Sequence, residues 1–275
     1  MSHILFDIEF TQKKHREVVR WIEEKIKNNI STIIVTPNPE MLMAIQKNSL
    51  FKEALQTADI RIPDGIGVLW ASKFLTLPNR FTRKKRKLWG IWQAFYSLSA
   101  IVFYPPFLET YIPERVSGAD IFWNIIDMCQ KLGKRPFFLG AAPGIADIVR
   151  DKVQEVYPHI QVAGVYAGIP DSEYDDEICH YIKKSQADVV FVAYGAPKQE
   201  LWMSRNRQNL PQIQMIGVGG TFDFVAGKKK RAPYWMRKFG LEWLFRLCIE
   251  PWRYMRIYTA TIRFIRFVYN TKLNK

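Results

Sequence analysis

The stretch 189-VVFVAYGAPKQELWM-203 shows the unit from which the fold is built. Residues 189–193 are apolar and mostly β-branched, which predicts a buried strand; the turn YGAPKQE follows at 194–200, and 198–206 has the pattern of a helix. A strand without polar alternation is covered on both faces, as in parallel sheets. The stretch therefore predicts a strand–turn–helix unit of an α/β domain.

The same unit recurs along the chain on both sides of this stretch. The predicted strands are 32–35, 59–62, 136–139, 161–165, 189–193 and 214–218. The predicted helices are 40–47, 66–74, 119–132, 144–157, 173–184 and 198–206. The alternation predicts an α/β fold with a parallel sheet, and 275 residues suffice for one such domain with or without an appendage.

Most predicted strands end in turns rich in glycine, proline or polar residues. These turns are TPNPE at 36–40, PDGIG at 63–67, GAAPG at 140–144, YGAPKQE at 194–200 and GVGGTFDF at 217–224. Ligands of open parallel sheets bind at the carboxyl ends of the strands, where glycine lets a phosphate approach the backbone. Each glycine alone indicates only a tight turn, but the set predicts a nucleotide-sized site at this edge.

Asp64 is the first candidate for chemistry, because it follows a strand and lies between Pro63 and Gly65. Its carboxylate can act as a general base toward an attacking hydroxyl, or it can cap the next helix. Other residues of these turns are candidate substrate ligands, with capping or turn closure as the alternative role. They are Thr36, Asn38, Gly140, Tyr194, Gln199, Glu200 and Asp223, and Arg115 in the ERVSG turn at 114–118 is a further candidate.

Several other chemistries fit the sequence poorly. The four histidines lie outside the promising turns, there is no GxxxxGK[ST] motif, and GAAPG lacks the GxGxxG pattern. The pair Asp175–Asp176 belongs to a polar helical stretch, so we expect no obligatory metal and no other cofactor. Cys129, Cys179 and Cys248 form no CxxC pair, which predicts buried free thiols in a reducing compartment. The opening MSHILFDIEF lacks a signal-peptide pattern, which indicates a cytoplasmic location.

The net charge of +14 is concentrated in two segments. Residues 228–275 contain 13 Lys and Arg against 2 Asp and Glu, and six more basic residues lie between 80 and 87. Aromatic residues interleave with the arginines of 228–275, a mixture suited to an anionic membrane surface. Arginines 246, 253, 256, 263 and 266 recur mostly at three or seven residues and can grip a diphosphate or lipid headgroups. A solvated basic helix is the alternative.

Residues 88–108 carry no charge and directly follow the basic run. Their length is near that of a membrane span, but a single crossing would place the turns at 36–67 and 140–224 on opposite sides. We therefore expect a re-entrant or interfacial helix, with packing against the body as the alternative.

At its turns the chain resembles the WecG/TagA/CpsF glycosyltransferase family. The resemblance rests on TPNPEMLMAIQ, ADIRIPDGIGVLWASK, PERVSGADIF, FFLGAAPG, VAYGAPKQELWMSRN, IGVGGTFDFVAGKKKRAP and GLEWLFRLCIEPWRYMRIY, in this order from 35 to about 258. It implies a Rossmann-like parallel sheet with helices on both faces. It also implies inverting transfer of an N-acetylmannosamine-type sugar from UDP to polyprenyl-diphosphate-linked N-acetylglucosamine, for cell-surface polysaccharide or teichoic acid, at the cytoplasmic face of a bacterial membrane.

The resemblance also assigns roles to residues. Asp64 is the implied base, and Thr36, Asn38, Arg115 and Gln199 would line the donor and acceptor sites. The basic positions of the C-terminal appendage would offset the charge of UDP or hold the acceptor diphosphate, and they are Arg246, Arg253 and Arg256. The implied organisation is a catalytic domain at 1–227 and a membrane-associating appendage at 228–275. The chain departs from the family's pattern at about 75–112, where an insertion takes the place of a much shorter link.

Two alternatives remain at this stage. A family member can use another UDP-sugar or acceptor, as in capsule assembly, and a homo-oligomer is compatible with the resemblance. A non-catalytic basic protein would instead bind membrane or nucleic acid. We expect no nucleic acid partner, because the basic residues avoid the sheet body.

Overall fold

The computed structural model describes residues 2–79 and 83–274, with the backbone alone for Ser2, Arg83 and Lys84. Arg80 and the side chains of Arg83 and Lys84, which belong to the predicted basic run, therefore lie outside the described residues. The strands within them are β1 (Ser2–Leu5), β2 (Ile8–Thr11), β3 (Ile33–Val35), β4 (Ile60–Arg61), β5 (Pro136–Gly140), β6 (Gly164–Tyr166), β7 (Val189–Ala193) and β8 (Gln214–Gly217).

Six of these strands form one parallel sheet in the order β4-β3-β8-β7-β5-β6, which confirms the predicted fold class. β7 lies inside the sheet, where Val190 pairs with Phe137 of β5 and with Met215 of β8. The strand predicted at 161–165 begins at Gly164 in the structure. Regular pairing with β5 starts there, after the hydrogen bond from Ala163 N to Pro136 O (2.8 Å). β1 and β2 form a separate antiparallel hairpin that the sequence analysis did not predict.

Helices cover both faces of the sheet. They are α1 (His15–Lys27), α2 (Pro39–Ala44), α3 (Ser49–Thr57), α4 (Ile66–Thr76), α5 (Arg83–Phe103), α6 (Gly118–Leu132), α7 (Ile145–Val156), α8 (Asp175–Lys184), α9 (Lys198–Asn206), α10 (Thr221–Val225), α11 (Tyr234–Lys238), α12 (Glu242–Ile249), α13 (Tyr254–Tyr258) and α14 (Phe264–Asn274). The predicted helices are all present within a few residues, whereas α1 and α3 were not predicted.

The strand side chains alternate between two apolar cores, one on each face. In β7, Val190 and Val192 belong to one core, while Val189 and Phe191 belong to the other. Apolar residues are therefore required at every position of the strand. This requirement explains why the uninterrupted run at 189–193 predicted the architecture.

The C-terminal segment joins the body through its last helix. Phe264 and Val268 of α14 are buried in the same core as the sheet residues, and the Nζ of Lys272 donates to the carbonyl of Phe74 (2.7 Å). Between α12 and α14 the chain is irregular, with a 3-10 turn at Pro251–Arg253 and a π-helical turn at Thr259–Arg263. A C-terminal helical region is thus present, and the domain boundary at residue 227 stays a prediction.

The uncharged segment at 88–108 forms most of α5 and the turn after it. α5 packs against α4 and α14 on one side, as the alternative expectation held, and its other side is exposed. Among the helices of the described residues, none is both long enough and apolar enough to cross a bilayer.

The cysteines follow the prediction in part. Cys129 and Cys179 are buried free thiols, and burial raises the pKa of both. Cys248 is exposed, so its predicted burial is wrong. The reason is its position on α12, which lies at the surface and has no buried residue.

Candidate active site

Three turns meet at the carboxyl ends of β3 and β4. The backbone N of Asp64 donates to Pro37 O (3.1 Å), and Val116 N donates to Pro63 O (3.1 Å). A Cβ built on Gly118, the first residue of α6, would lie 3.6 Å from the Oγ1 of Thr36. The turns that contain Thr36, Asp64 and Arg115 are therefore brought together as the sequence predicted.

Asp64 does not cap the helix that follows it. The N-cap of α4 is Gly65, with φ of +90°, and it makes no side-chain cap hydrogen bond. In the described residues no side chain donates a hydrogen bond to the half-buried Asp64 carboxylate. The capping alternative is thus removed, and the carboxylate is left available for chemistry.

The pKa of Asp64 is raised to about 6, above its ordinary value of 3.8. Burial is the largest cause, and the negative charge of Glu242 acts in the same direction. The positive charges of Arg115, Arg246 and Arg231 oppose the rise. A carboxyl group with this pKa is mostly ionised at neutral pH and can still accept a proton.

The arginines near Asp64 are held by hydrogen bonds from different parts of the chain. Arg115 donates to the carbonyl of Arg237 (3.0 Å). Arg231 forms a bidentate pair with Asp120 at 2.8 and 3.0 Å, and it also donates to the Oγ of Ser117 (3.1 Å), the N-cap residue of α6. The segment 228–240 is thereby fastened to the turn before α6, and cationic groups are placed beside the carboxylate.

In the loop after β3, Asn38 has a structural role instead of the predicted role as a substrate ligand. The Oδ1 of Asn38 accepts a hydrogen bond from Met41 N (3.0 Å) and caps α2, which was the alternative role. Thr36 is half-buried and lies against the start of α6. Only Thr36 of this pair therefore presents an uncommitted side-chain oxygen.

Gln199 and Glu200 are both buried, so neither faces an open surface in this structure. The Oε1 of Gln199 accepts hydrogen bonds from Gly195 N (3.2 Å) and Gly219 N (3.0 Å), which ties the turn after β7 to the turn after β8. Its Nε2 donates to the Oε1 of Glu200 (2.7 Å). The structure places Gln199 as a link between two turns of the sheet edge.

Glu200 is a buried carboxyl group with an unsatisfied oxygen. Its Oε2 has no hydrogen-bond partner among the described residues. Burial raises its pKa to about 7, although the hydrogen bond from Gln199 opposes the rise. The protonated form is favoured there, because ionisation would leave a poorly solvated charge.

Gly140 and Tyr194 pack against each other at the ends of β5 and β7. Gly140 has φ of +97°, and a Cβ there would lie 3.0 Å from the Cδ1 of Tyr194 and 3.0 Å from the carbonyl carbon of Ala193. The hydroxyl of Tyr194 is buried, and no partner for it is found in the described part of the chain. These two residues are joined to the Asp64 group by no hydrogen bond or ion pair there.

Asp223 is paired with Lys229, whose Nζ also lies 3.9 Å from an oxygen of Glu250. The next residue, Phe224, lies 5.3 Å from the guanidinium carbon of Arg246. The turn after β8 is therefore in contact with α12. Asp223 acts here as an anchor for the basic segment.

Three of the arginines predicted to form a row in the C-terminal segment are paired with carboxylates in the structure. Arg246 donates to Glu242 (2.7 Å), Arg253 donates to Glu250 (3.0 Å), and Arg256 forms two hydrogen bonds with one carboxylate on α2. The breaks between α12 and α14 also prevent these arginines from sharing one helical face. Of the three, Arg246 is close enough to Asp64 to affect its pKa.

Arg231, Asp120 and Glu242 were not among the site residues predicted from the sequence. Arg231 and Glu242 lie in the quoted segments IGVGGTFDFVAGKKKRAP and GLEWLFRLCIEPWRYMRIY, which were the available signal for them. In the described residues no group of three or more His, Cys, Asp or Glu could hold a metal ion. The expectation of no obligatory metal stays a prediction.

Comparison with known proteins connects this site to a reaction class. The model of the glycosyl transferase WecG/TagA/CpsF family matches residues 3–85 and 99–275. The unmatched residues, 86–98, lie in α5, inside the insertion predicted at about 75–112.

Three similar proteins are each named N-acetylglucosaminyldiphosphoundecaprenol N-acetyl-beta-D-mannosaminyltransferase. The protein of Bacillus spizizenii W23 is 31% identical over 84% of this chain and 77% of its own length. That of Bacillus subtilis 168 is 29% identical over 93% and 87%. That of Staphylococcus aureus NCTC 8325 is 28% identical over 86% and 78%.

Proposed function

This chain belongs to the glycosyl transferase WecG/TagA/CpsF family, and we propose that it transfers N-acetylmannosamine from UDP to polyprenyl-diphosphate-linked N-acetylglucosamine. The names of its relatives support this donor sugar and acceptor. Family membership removes the non-catalytic alternative. The observation that carries the proposal is the Asp64 carboxylate, which caps no helix, has a pKa of about 6 and lies among arginines.

Asp64 is the proposed general base of a single displacement. It takes the proton from the attacking acceptor hydroxyl as that oxygen bonds to the anomeric carbon of the donor sugar. The bond from this carbon to the diphosphate of UDP breaks, and the configuration is inverted. No covalent sugar–enzyme intermediate is needed, so one carboxylate suffices.

The arginines around Asp64 are proposed to stabilise the diphosphate that leaves. Arg115, Arg231 and Arg246 bring positive charge from three segments toward one place, which is the electrostatic task that a metal ion performs in other transferases. In this structure Arg246 is paired with the partly exposed Glu242 and Arg253 with the buried Glu250, and a diphosphate would replace these carboxylates as the partner of each arginine. Arg253 is thereby a proposed ligand of the acceptor diphosphate.

The acceptor is attached to a lipid, so the site must work at a membrane. Exposed aromatic residues accompany the basic ones in the C-terminal segment: Tyr234, Trp235, Trp243, Trp252, Tyr254 and Tyr258. Aromatic rings and cations together favour the headgroup region of an anionic membrane. We propose peripheral binding at the cytoplasmic face.

Release of UDP tests the proposal. The purified protein is given UDP-N-acetylmannosamine, UDP-N-acetylglucosamine or UDP-glucose, with and without polyprenyl-diphosphate-linked N-acetylglucosamine. We expect acceptor-dependent release from UDP-N-acetylmannosamine alone. Release from a different donor would replace the sugar and keep the reaction class, which is the same-family alternative. No release from any donor, by a protein that binds UDP, would contradict the proposed acceptor.

A further inference from the structure

The side of α5 that faces the body mixes polar, small and apolar residues, and its other side exposes large apolar residues. Gln93, Ser97 and Ala100 are buried, and Gly90 lies against the ring of Tyr269. These positions recur at three and four residues, so they form one stripe along the helix. Ala94, Leu98 and Ile101 lie beside this stripe and pack against the core, so α5 is apolar on its inner side as well as on its outer side. A helix between a protein core and water instead has a polar outer face.

Polar side chains on this side of α5 make hydrogen bonds to the body, although the Oε1 of Gln93 has no partner among the described residues. The Nε2 of Gln93 donates to Pro78 O (3.0 Å), and the Oγ of Ser97 accepts from the Nε1 of Trp70 (2.9 Å). At the start of the helix, Arg86 donates to the carbonyl of Lys272 (2.9 Å). The inner face of α5 is thus fixed to the body, and the orientation of its outer face follows from these contacts.

The outer stripe is apolar and strongly exposed. Leu88 is 72% exposed, Phe95 is 74% exposed and Phe103 is 84% exposed. Between them Trp92 and Tyr96 are half exposed and stack with ring centroids 5.4 Å apart. Contiguous exposure of so many large apolar side chains marks a surface that contacts something apolar.

A lipid surface fits this stripe better than another protein does. The exposed Lys85 and Lys87 precede the stripe, and residues 83–108 contain no acidic residue, so the helix complements anionic headgroups. Trp and Tyr side chains favour the boundary between headgroups and acyl chains. Since no helix of the described residues can span a bilayer, α5 would lie along the surface.

The end of α5 is in contact with the C-terminal segment. A Cβ on Gly240, between α11 and α12, would lie 3.1 Å from the Cγ2 of Ile101 and 2.9 Å from that of Ile66. The exposed Phe103 therefore follows directly on the contact between α5 and the segment that carries Trp235.

We propose that α5 is an interfacial helix that inserts its outer stripe at the headgroup–acyl boundary of an anionic membrane. Residues 86–98 are absent from the family match, so this contact is an addition of this chain to the family's common plan. The proposal for α5 rests on the proposed function in one respect, which is that the lipid-linked acceptor lies in the same membrane.

Vesicle sedimentation of the full chain tests the proposal. The variant Trp92→Glu/Phe95→Glu changes two exposed side chains of α5. The matched control, Leu50→Glu/Val156→Glu, changes two apolar residues on α3 and α7 that are 67% and 58% exposed. With vesicles of phosphatidylglycerol and phosphatidylcholine, we expect at least tenfold weaker binding of the α5 variant, since two aromatic groups no longer leave water. The control should bind as the unmodified chain does.

A depth measurement separates insertion from mere attraction. Lipids brominated on the acyl chain should quench the unmodified chain more than the Trp92→Phe variant. Equal quenching, or unchanged binding of the α5 variant, would overturn the proposal. A dimer in solution that the α5 variant dissociates would assign the stripe to a second copy instead. The α5 variant should still transfer the sugar to a short-chain, water-soluble acceptor. If the unmodified chain binds vesicles but does not transfer the sugar to this acceptor, the proposed function is contradicted and the proposal for α5 is not.

Discussion

The guanidinium of Arg256 grips the carboxylate of Glu40 with two hydrogen bonds, Nε to Oε1 at 2.8 Å and Nη2 to Oε2 at 3.0 Å. Glu40 lies in the first turn of α2, directly after the turn that contains Thr36. Arg256 lies in α13, in the middle of the C-terminal segment. The pair therefore ties the basic segment to one of the turns that meet at Asp64.

Reversal of the two charges tests whether this tie matters for activity. We expect Glu40→Arg and Arg256→Glu each to lower kcat/KM about tenfold, and the double variant to recover most of it. The free energy of unfolding should change by less than about 1 kcal/mol in each variant, because the pair is largely exposed. A double variant as inactive as Arg256→Glu would show that Arg256 acts directly on a diphosphate, that of UDP or that of the acceptor, which are the two roles that the resemblance implies.

Asp64→Asn removes the proposed base and keeps nearly the same shape. We expect transfer to fall about 100-fold or more, the usual contribution of a general base, while UDP binding is retained. Isothermal titration with UDP and single-turnover transfer measure the two quantities separately. Near-normal turnover would exclude Asp64 as the base, whereas loss of UDP binding would indicate a role in positioning the donor.

The pH dependence of kcat/KM reports the state of Asp64. A base must be ionised to accept a proton, so kcat/KM should rise with pH through about 6 and level off above. Glu242→Gln removes a negative charge that raises this pKa, so the rise should move to lower pH. The variant also frees Arg246 from its partner, which acts in the same direction.

Arg115→Gln should shift the pH dependence of kcat/KM in the opposite direction. Loss of a positive charge that lowers the pKa of Asp64 should move the rise to higher pH, whatever happens to the maximum rate. Shifts of the same sign in both variants would mean that a different group controls the profile. Donor binding as a function of pH, measured without acceptor, serves as the control.

The sequence predicted the sheet well because its constraint is local. Strands such as β7 face an apolar core on both sides, so their pattern needs no knowledge of the rest of the fold. The helix α1 was missed although Val18, Ile22 and Ile26 are buried at helical spacing, because the charged residues between them lower the apparent hydrophobicity. The hairpin of β1 and β2 was missed because its turn residues with positive φ, Phe6 and Asp7, are not glycines, and glycine is the residue that usually indicates such a turn.

The site was predicted at the level of turns and less well at the level of side chains. Asp64 lies at the strand edge that the pattern implies. Arg115 follows no strand, and its loop is joined to the turn of Asp64 by the hydrogen bond from Val116 N to Pro63 O. The cap made by Asn38 and the buried link made by Gln199 depend on distances between turns, which a single sequence does not contain. Arg231 and Glu242 lie more than 160 residues away from Asp64 in the chain, so their effect on its pKa is seen only in the folded structure.

Glu200→Gln should flatten the dependence of stability on pH. The folded pKa of Glu200 is about 7 and its ordinary value is 4.5, so folding favours the protonated form. This contribution to stability is complete below pH 4.5 and is lost as the pH rises through 7. At about 1.4 kcal/mol per pKa unit, its loss costs on the order of 3 kcal/mol, and the glutamine variant should not show it. Urea unfolding of both proteins at pH 5 and pH 8 measures the difference; parallel curves would mean that Glu200 is not desolvated.

Phe264→Ala tests whether the C-terminal segment is part of the body. Phe264 is 1% exposed and lies in the same core as the sheet residues, so the substitution should lower the free energy of unfolding by about 3 kcal/mol or more. Trp252→Ala is the matched control, because this larger ring of the same segment is 72% exposed and its loss should change stability by less than about 0.5 kcal/mol. Equal, small effects would support a separable appendage after residue 227. The expected difference instead means that α14 belongs to the folded core, whereas Trp252 lies among the exposed aromatic residues of the C-terminal segment.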